Sequence, residues 1–255
     1  MNGKQLKNSI LQWAIQGKLV PQDPNDEPAS VLLERIRAEK ARLVKEKKIK
    51  KDKNESIIYR GEDNSYYEKF LATREVKCID EEIPFEIPAT WEWCRLLSIV
   101  SLLGDGIHGT PEYSEGGSVY FINGNNLFDG QILIKPDTKT VSKEEAVKHS
   151  RLLNESTVLV SINGTIGNIA FYSGENVILG KSACYFNLLN GIERKYIKIV
   201  LQTDYFLEYT KRVATGSTIK NVPLSGMRNV LIPIPPKDEQ QVIIDKLSSL
   251  KLLIE

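Results

Sequence analysis

Two loops carry the side chains that nucleic acid asks for: Ser161-Ile-Asn-Gly-Thr-Ile-Gly167 and Ala214-Thr-Gly-Ser-Thr-Ile-Lys-Asn221. Asn, Ser, Thr and Lys in loops can reach base edges in a major groove. Lysines and backbone N–H groups in Gly/Ser/Thr turns can meet phosphates. The same residues also fit two plain tight turns, with Gly164, Gly167 and Gly216 supplying backbone freedom. Composition leaves both readings open. Residues 181–228 add a local basic bias: Lys181, Arg194, Lys195, Lys198, Lys211, Arg212, Lys220 and Arg228 against Glu193, Asp204 and Glu208. This partly answers the net charge of only +1, which is low for a DNA-binding chain.

Enzymatic patterns do not hold up. Gly104-Asp-Gly-Ile-His-Gly109 satisfies GxGxxG, and Asp129 follows about 20 residues later, as in a dinucleotide site. That site needs a helix to open at the last glycine, and Pro111, Gly116 and Gly117 forbid one here. An amino-methyltransferase would need an Asn/Asp-Pro-Pro-aromatic loop, and Ile234-Pro-Pro-Lys237 lacks both the acid and the aromatic. Asp137 with Glu193-Arg-Lys195 makes only a forced nuclease pattern. The two histidines, His108 and His149, are too few for a His-rich metal site. His108 in its glycine-rich loop is either a loop hydrogen-bonder or a DNA contact, and His149 is expected at the surface of a short helix.

The elements that must hold these loops follow from patterning. The chain has 255 residues, 41% hydrophobic and 26% charged, an ordinary globular composition. It has no apolar run long enough to span a membrane, and the start Met1-Asn-Gly-Lys4 leads into no signal peptide. Three widely spaced cysteines, Cys78, Cys94 and Cys184, suit reduced thiols in a cytoplasm. Residues 4–20 read as a short amphipathic helix stopped by Gly17 and Pro21, and a second helix starts near Val31. It runs into the charged stretch Lys45–Lys53, read as a solvated helix end, with phosphate contact as the alternative. Residues 54–82 read as an irregular connector.

From about 91 to 190 the chain is β-rich, with strands expected at 118–123, 131–134, 157–162, 168–173, 176–180 and 183–188. Residues 142–151 predict a short helix, 194–212 a single longer one, and 229–234 a last strand. Trp91 and Trp93 are read as core. A final helix follows Pro235-Pro236, and Ile243, Leu247, Leu250 and Ile254 form a heptad seam on it that wants a partner helix, either Leu32–Leu43 of the same chain or one from another chain. The fold class is α+β: a β-rich domain at 83–235 flanked by an N-terminal helical segment (1–53), a connector (54–82) and the start of a coiled-coil-type helix (236–255).

Several of these stretches, taken together, resemble the specificity subunits of type I restriction–modification systems. They are Ile87-Pro-Ala-Thr-Trp-Glu-Trp93, Gly104-Asp-Gly-Ile-His-Gly-Thr-Pro111, Phe121-Ile-Asn-Gly-Asn-Asn-Leu127, Val158-Leu-Val-Ser-Ile-Asn-Gly-Thr-Ile-Gly167, Ala214–Asn221 and Ile232-Pro-Ile-Pro-Pro-Lys-Asp-Glu-Gln-Gln241. The last two, in this order and leading into a heptad helix, are the most specific. Ser9-Ile-Leu-Gln-Trp-Ala-Ile-Gln-Gly-Lys-Leu-Val20 also looks typical, so the resemblance covers nearly the whole chain and is weakest at 54–82.

The resemblance implies a non-catalytic subunit that reads double-stranded DNA through a target recognition domain. It would direct methyltransferase (M) and restriction (R) subunits, with S-adenosylmethionine on the methyltransferase and no cofactor on this chain. Members usually carry two recognition domains separated by long antiparallel helices, whereas this chain has one. It is therefore a half-subunit or a fragment, and a half-subunit could dimerise through the C-terminal helix. The DNA-facing residues expected are His108, Thr110, Asn163, Thr165, Lys181, Ser217, Thr218, Lys220 and Asn221. A protein-interaction adaptor that oligomerises through its helices is the alternative.

Overall fold

The computed structural model describes residues 2–254, without the side chains of residues 251–255. Contacts divide the chain into two compact units: residues 1–99, 189–206 and 228–255 form the first, and residues 100–188 and 207–227 the second.

The first unit opens with α1 (Gly3–Ile15), started by a capping box in which Asn2 and Gln5 exchange side-chain-to-backbone hydrogen bonds. It ends where Gly17 takes φ +68°. A Cβ there would lie 2.3 Å from Pro88 Cγ, so this glycine serves both the turn and a close approach. Helix α2 (Ala29–Lys45) buries Leu32, Leu33 and Ile36. Beyond it Lys47 takes φ 58°, and the Lys48 N–H returns to Leu43 O at 2.9 Å, leaving the lysine-rich stretch exposed at the helix end.

Residues 54–82, expected to be irregular, instead form an antiparallel sheet of β1 (Ser56–Arg60), β2 (Tyr66–Phe70) and β3 (Val76–Cys78). The pattern was hidden because two inward-facing residues are polar. Ser56 and Glu68 are buried, the Ser56 hydroxyl donates to Glu68 Oε1 at 2.5 Å, and Arg95 on β4 (Glu92–Arg95) closes on the same carboxylate.

The second unit is built on β5 (Val100–Asp105), β6 (Val119–Ile122), the hairpin β7 (Leu127–Phe128) and β8 (Gln131–Ile132), β9 (Thr140–Val141), α3 (Lys143–Lys148), β10 (Thr157–Ser161), β11 (Ile169–Phe171), β12 (Val177–Leu179) and β13 (Ala183–Leu188). One sheet has the order β11-β10-β13-β5, all antiparallel; a second has the order β12-β6-β9, with β12 and β6 parallel. Every residue of β10 and β13 is buried. That is the environment their mainly apolar runs ask for, and the polar exceptions Thr157 and Asn187 pair with each other, Oγ1 to Oδ1 at 2.7 Å. The core around them gathers Ile122, Leu127, Leu159, Ala170, Leu179 and Tyr185.

The stretch expected as one helix over 194–212 is two, α4 (Arg194–Leu201) and α5 (Asp204–Val213), the latter crossing from the first unit to the second. Thr203 makes the break: its hydroxyl donates to Val200 O at 2.6 Å and accepts from the Phe206 N–H at 3.3 Å, ending one helix and capping the next. Helix α6 (Leu224–Asn229) and strand β14 (Leu231–Ile234) follow, and β14 pairs with β4.

Helix α7 (Lys237–Ile254) starts just after Pro235-Pro236 and packs against α4. Here the heptad reading needs correction. Ile243 is fully buried and Ile244 nearly so, because the first turns of α7 complete the core of the first unit. Leu247 and Leu250 are half-buried, and the side chain of Ile254 lies outside the described residues. A helix of another chain therefore cannot reach Ile243, and within the chain the helix that packs on α7 is α4. Trp91 and Trp93 are core as expected, and Trp91 meets Tyr196 edge-on at 6.4 Å.

Glu239, in the first turn of α7, is buried, and its carboxylate accepts from Trp91 Nε1 at 2.8 Å and Gln22 Nε2 at 2.6 Å. Burial pushes its pKa up, only partly offset by those two bonds. Its folded pKa is raised, so its contribution to stability is full below the unfolded pKa and is lost as pH rises through the folded one. Glu239→Gln should therefore gain stability over wild type at neutral pH and lose that advantage near pH 4. Parallel urea titrations at both pH values would check this, and an advantage unchanged at pH 4 would refute it.

Candidate nucleic-acid interface

Backbone pairing brings the two polar loops together inside the second unit. Thr215 and Asn221 exchange N–H···O bonds of 2.8 and 2.9 Å, closing the second loop on itself. Asn163 bridges to Asn221, Val222 N–H reaches Ile162 O at 2.8 Å, and Gly164 N–H reaches Lys220 O at 3.3 Å. The loops are thus tight turns, as the plain reading said, and Gly164, Gly167 and Gly216 all have positive φ. They are also neighbours, which the plain reading did not require.

Two further segments complete the site. After β5, Ile107 N–H donates to Leu179 O at 2.8 Å and Ile107 bridges to Gly180, fixing His108 beside the turn that bears Lys181. That turn is buttressed by Asn123-Gly-Asn-Asn126. Asn123 Oδ1 accepts from the Ser182 hydroxyl at 3.0 Å, and Gly124 N–H donates to Ser182 Oγ at 2.9 Å. Asp105, His108, Asn163, Lys181 and Asn221 then line one cavity of about 400 Å³, with Ile162 and Val222–Leu224 as its apolar part.

The cavity holds both donors and acceptors. Asp105, 19% exposed, takes His108 Nε2 on one carboxylate oxygen at 2.7 Å, and the His108 ring itself is 72% exposed. Asn163 Nδ2 donates to Asn221 Oδ1 at 3.3 Å, leaving Asn163 Oδ1 and Asn221 Nδ2 without protein partners among the described residues. Lys181 is exposed and has no ion-pair partner among them. Next to Asp105, burial pushes the Tyr185 phenol above its usual range, with Arg151 partly opposing.

Of the residues singled out from sequence, His108, Asn163, Lys181 and Asn221 share the cavity. Thr165, Ser217, Thr218 and Lys220 are exposed on the paired loops, and Thr110 is exposed but outside the cavity lining. Asp105 was missed: from this glycine-rich segment only His108 and Thr110 were singled out. Ile219, 60% exposed on the second loop, was also missed. His149 is not a plain surface residue: it is half-buried against Glu145 at 3.2 Å. Lys148 first, then the Glu112 N–H and His149, hold the Glu145 carboxyl down at about 2 despite some desolvation. The basic bias of 181–228 is divided, with Lys181, Lys211, Arg212 and Lys220 in the second unit and the other cations in the first.

The dinucleotide reading fails on the backbone as well. No helix opens after Gly109, and Asp129 has φ 43° and Gly130 φ 91° in the two-residue turn of the β7–β8 hairpin. Among the described residues no group of His, Cys, Asp and Glu could hold a metal, and no helix is long and apolar enough to cross a membrane.

Residues 88–255 match the family described as type I restriction modification DNA specificity domain. The chain belongs to this family. It is 32% identical over 252 residues to the type I restriction enzyme EcoAI specificity subunit of Escherichia coli, covering 96% of this chain and 39% of that one. It is also 32% identical over 262 residues to the EcoEI specificity subunit of the same organism, covering 99% and 40%. A chain from a solved type I R-M system superposes with a TM-score of 0.51 at 20% identity, covering 67% of this chain and 40% of that one, which supports the fold alone. This specificity-family chain therefore spans about two fifths of the length of the relatives it matches. Its mixed helix-and-sheet architecture, with a β-rich part and a C-terminal helix, is the α+β class expected.

Proposed function

We propose that this specificity-family chain is the non-catalytic DNA reader of a type I restriction–modification complex. The observation that carries the reading is the backbone pairing of loops 161–167 and 214–221 beside a cavity of unpartnered donors and acceptors. Base edges need both kinds of group, whereas phosphates need donors alone. Thr165, Ser217 and Thr218 suit phosphate or methyl contacts, Lys220 a phosphate or base, and Asn163, Asn221 and Lys181 base contacts, with His108 lining the same cavity. Thr110 is retained as an outlying phosphate contact.

In this reading the chain holds M and R subunits on double-stranded DNA in the cytoplasm. S-adenosylmethionine belongs to the M subunit, and no cofactor belongs to this chain. A second copy joined through Leu247 and Leu250 would give a two-fold symmetric, interrupted target.

The test is co-purification with the methyltransferase subunit of its proposed complex, followed by methylation mapping. The expected result is a stable complex that methylates one short motif, with methylation lost on combining Lys220→Ala and Asn221→Ala. Separately, Lys220→Ala should weaken binding on all sequences and lower the salt slope by about one. Asn221→Ala should cost about 1–3 kcal/mol of discrimination at one base pair. A chain that binds neither DNA nor methyltransferase would favour the adaptor.

A further inference from the structure

We infer that Asp105 and Lys181 form the part of the cavity that selects a C·G base pair, with His108 as the positioning residue of Asp105. The inference rests on the DNA-reading role proposed above and names what one part of that site recognises.

The starting point is an electrostatic cost. A carboxylate on a surface that receives DNA is repelled by phosphate, so it weakens binding unless something on the DNA donates to it. Asp105 lines the cavity from the end of β5, where it pairs with Cys184. Its partner His108 occupies Oδ2 at 2.7 Å and fixes the plane of the carboxylate. Among the described residues nothing in the protein donates to Oδ1. An acceptor-only oxygen is therefore presented, oriented and unpaired. In the major groove the groups that donate are the exocyclic amines of cytosine and adenine, and carboxylates pair with cytosine N4.

Lys181 decides between them. It is a donor-only ammonium in the same cavity, and no carboxylate of the described protein neutralises it. A C·G pair presents the cytosine N4 donor next to the guanine O6 and N7 acceptors, which is one donor for Asp105 and acceptors for Lys181. A T·A pair also offers a donor and acceptors, but adenine N6 and N7 together suit an amide. Asn221 with its unpartnered Nδ2, and Asn163 with its unpartnered Oδ1, supply that chemistry in the same cavity. The cavity thus offers a carboxylate and an ammonium matched to C·G, and two amides matched to A·T.

The test uses the complete chain in complex with its methyltransferase, reading bound duplexes from a randomised library and the methylated motif. Wild type should select C·G at one position that Asp105→Asn no longer selects, with affinity for the wild-type site falling about tenfold or more. Binding to unrelated duplex should not fall, because a negative charge has been removed. Wild-type protein offered the same site with cytosine replaced by a pyrimidinone lacking the 4-amino group should lose binding to a similar extent, a readout that does not depend on a variant folding.

If Asp105→Asn and the pyrimidinone leave the motif and affinity unchanged while Asn221→Ala still relaxes a position, the assignment of Asp105 is wrong and the reading role stands. Selection of A·T at the Asp105 position would likewise overturn it. If Asn221→Ala, Lys220→Ala and Asp105→Asn all leave DNA binding unchanged, the reading role itself fails.

Discussion

Arg95→Ala is expected to destabilise the first unit by about 3–5 kcal/mol, the cost of stranding a buried charge. Arg95 forms a two-toothed pair with Glu68, Nε to Oε1 at 3.1 Å and Nη2 to Oε2 at 2.6 Å. It also reaches Glu82 at 2.7 Å and the Asn229 carbonyl at 2.9 Å. The Glu68 side chain is 4% exposed and that of Arg95 12%, so water replaces little of what alanine removes. Burial alone would lower the Arg95 pKa, and the two carboxylates outweigh it, so the guanidinium is held charged. Burial likewise pushes Glu82 up, yet Lys77 and Arg95 bring it below its usual range.

Guanidinium chloride melts would measure the loss. Arg95→Met combined with Glu68→Leu should recover most of it, because exchanging a buried pair for apolar residues is often close to neutral. A loss below about 1 kcal/mol for Arg95→Ala would place the pair among exposed bridges of little worth.

This network also explains where sequence reading fell short. Strands β10 and β13 were legible because Val158-Leu-Val160 and Tyr185-Phe186 are β-forming apolar residues within short, fully buried runs. Strands β1 and β2 were not, since the inward Ser56 and Glu68 look out of place until Ser56 is seen to donate to Glu68 and Arg95, distant in sequence, to pair with that carboxylate. The break between α4 and α5 was written as Thr203-Asp204, a cap followed by an acid, but the apolar periodicity on either side masked it. Ile243 kept its heptad spacing and still turned inward, because spacing does not say which partner a stripe meets.

The site divides in the same way. The loop chemistry of Asn163, Lys220 and Asn221 could be named from residue type and turn composition. Their convergence with His108 and Lys181 depends on the pairing of Ile107 with Gly180 and of Asn163 with Asn221. Those are long-range backbone bonds that no local pattern encodes. Asp105 shows the cost most clearly: its carboxylate acquires meaning only when Lys181 and Asn221 are known to line the same cavity.

Gly106→Ala provides the second large expected effect, because it attacks that convergence directly. A Cβ at residue 106 would stand 2.0 Å from Leu179 O, 2.2 Å from Leu179 C and 2.4 Å from Gly180 O. All three are backbone atoms, so no side-chain rotation relieves the overlap. The segment must move off Leu179, which breaks the 2.8 Å bond from the Ile107 N–H and carries His108 away from Lys181. Overpacking of this kind costs about 1–3 kcal/mol and occasionally more, and the lost buried hydrogen bond adds about 1 kcal/mol. Gly109→Ala is the control, since nothing lies within 4 Å of a Cβ there and its φ is not in the left-handed region. Thermal melting with duplex binding should show Gly109→Ala near wild type. Gly106→Ala should melt lower and discriminate its target poorly even at temperatures where it remains folded. Equal melting and equal discrimination for the two variants would mean that the β5 exit is not what holds His108 and Asp105 in register with Lys181.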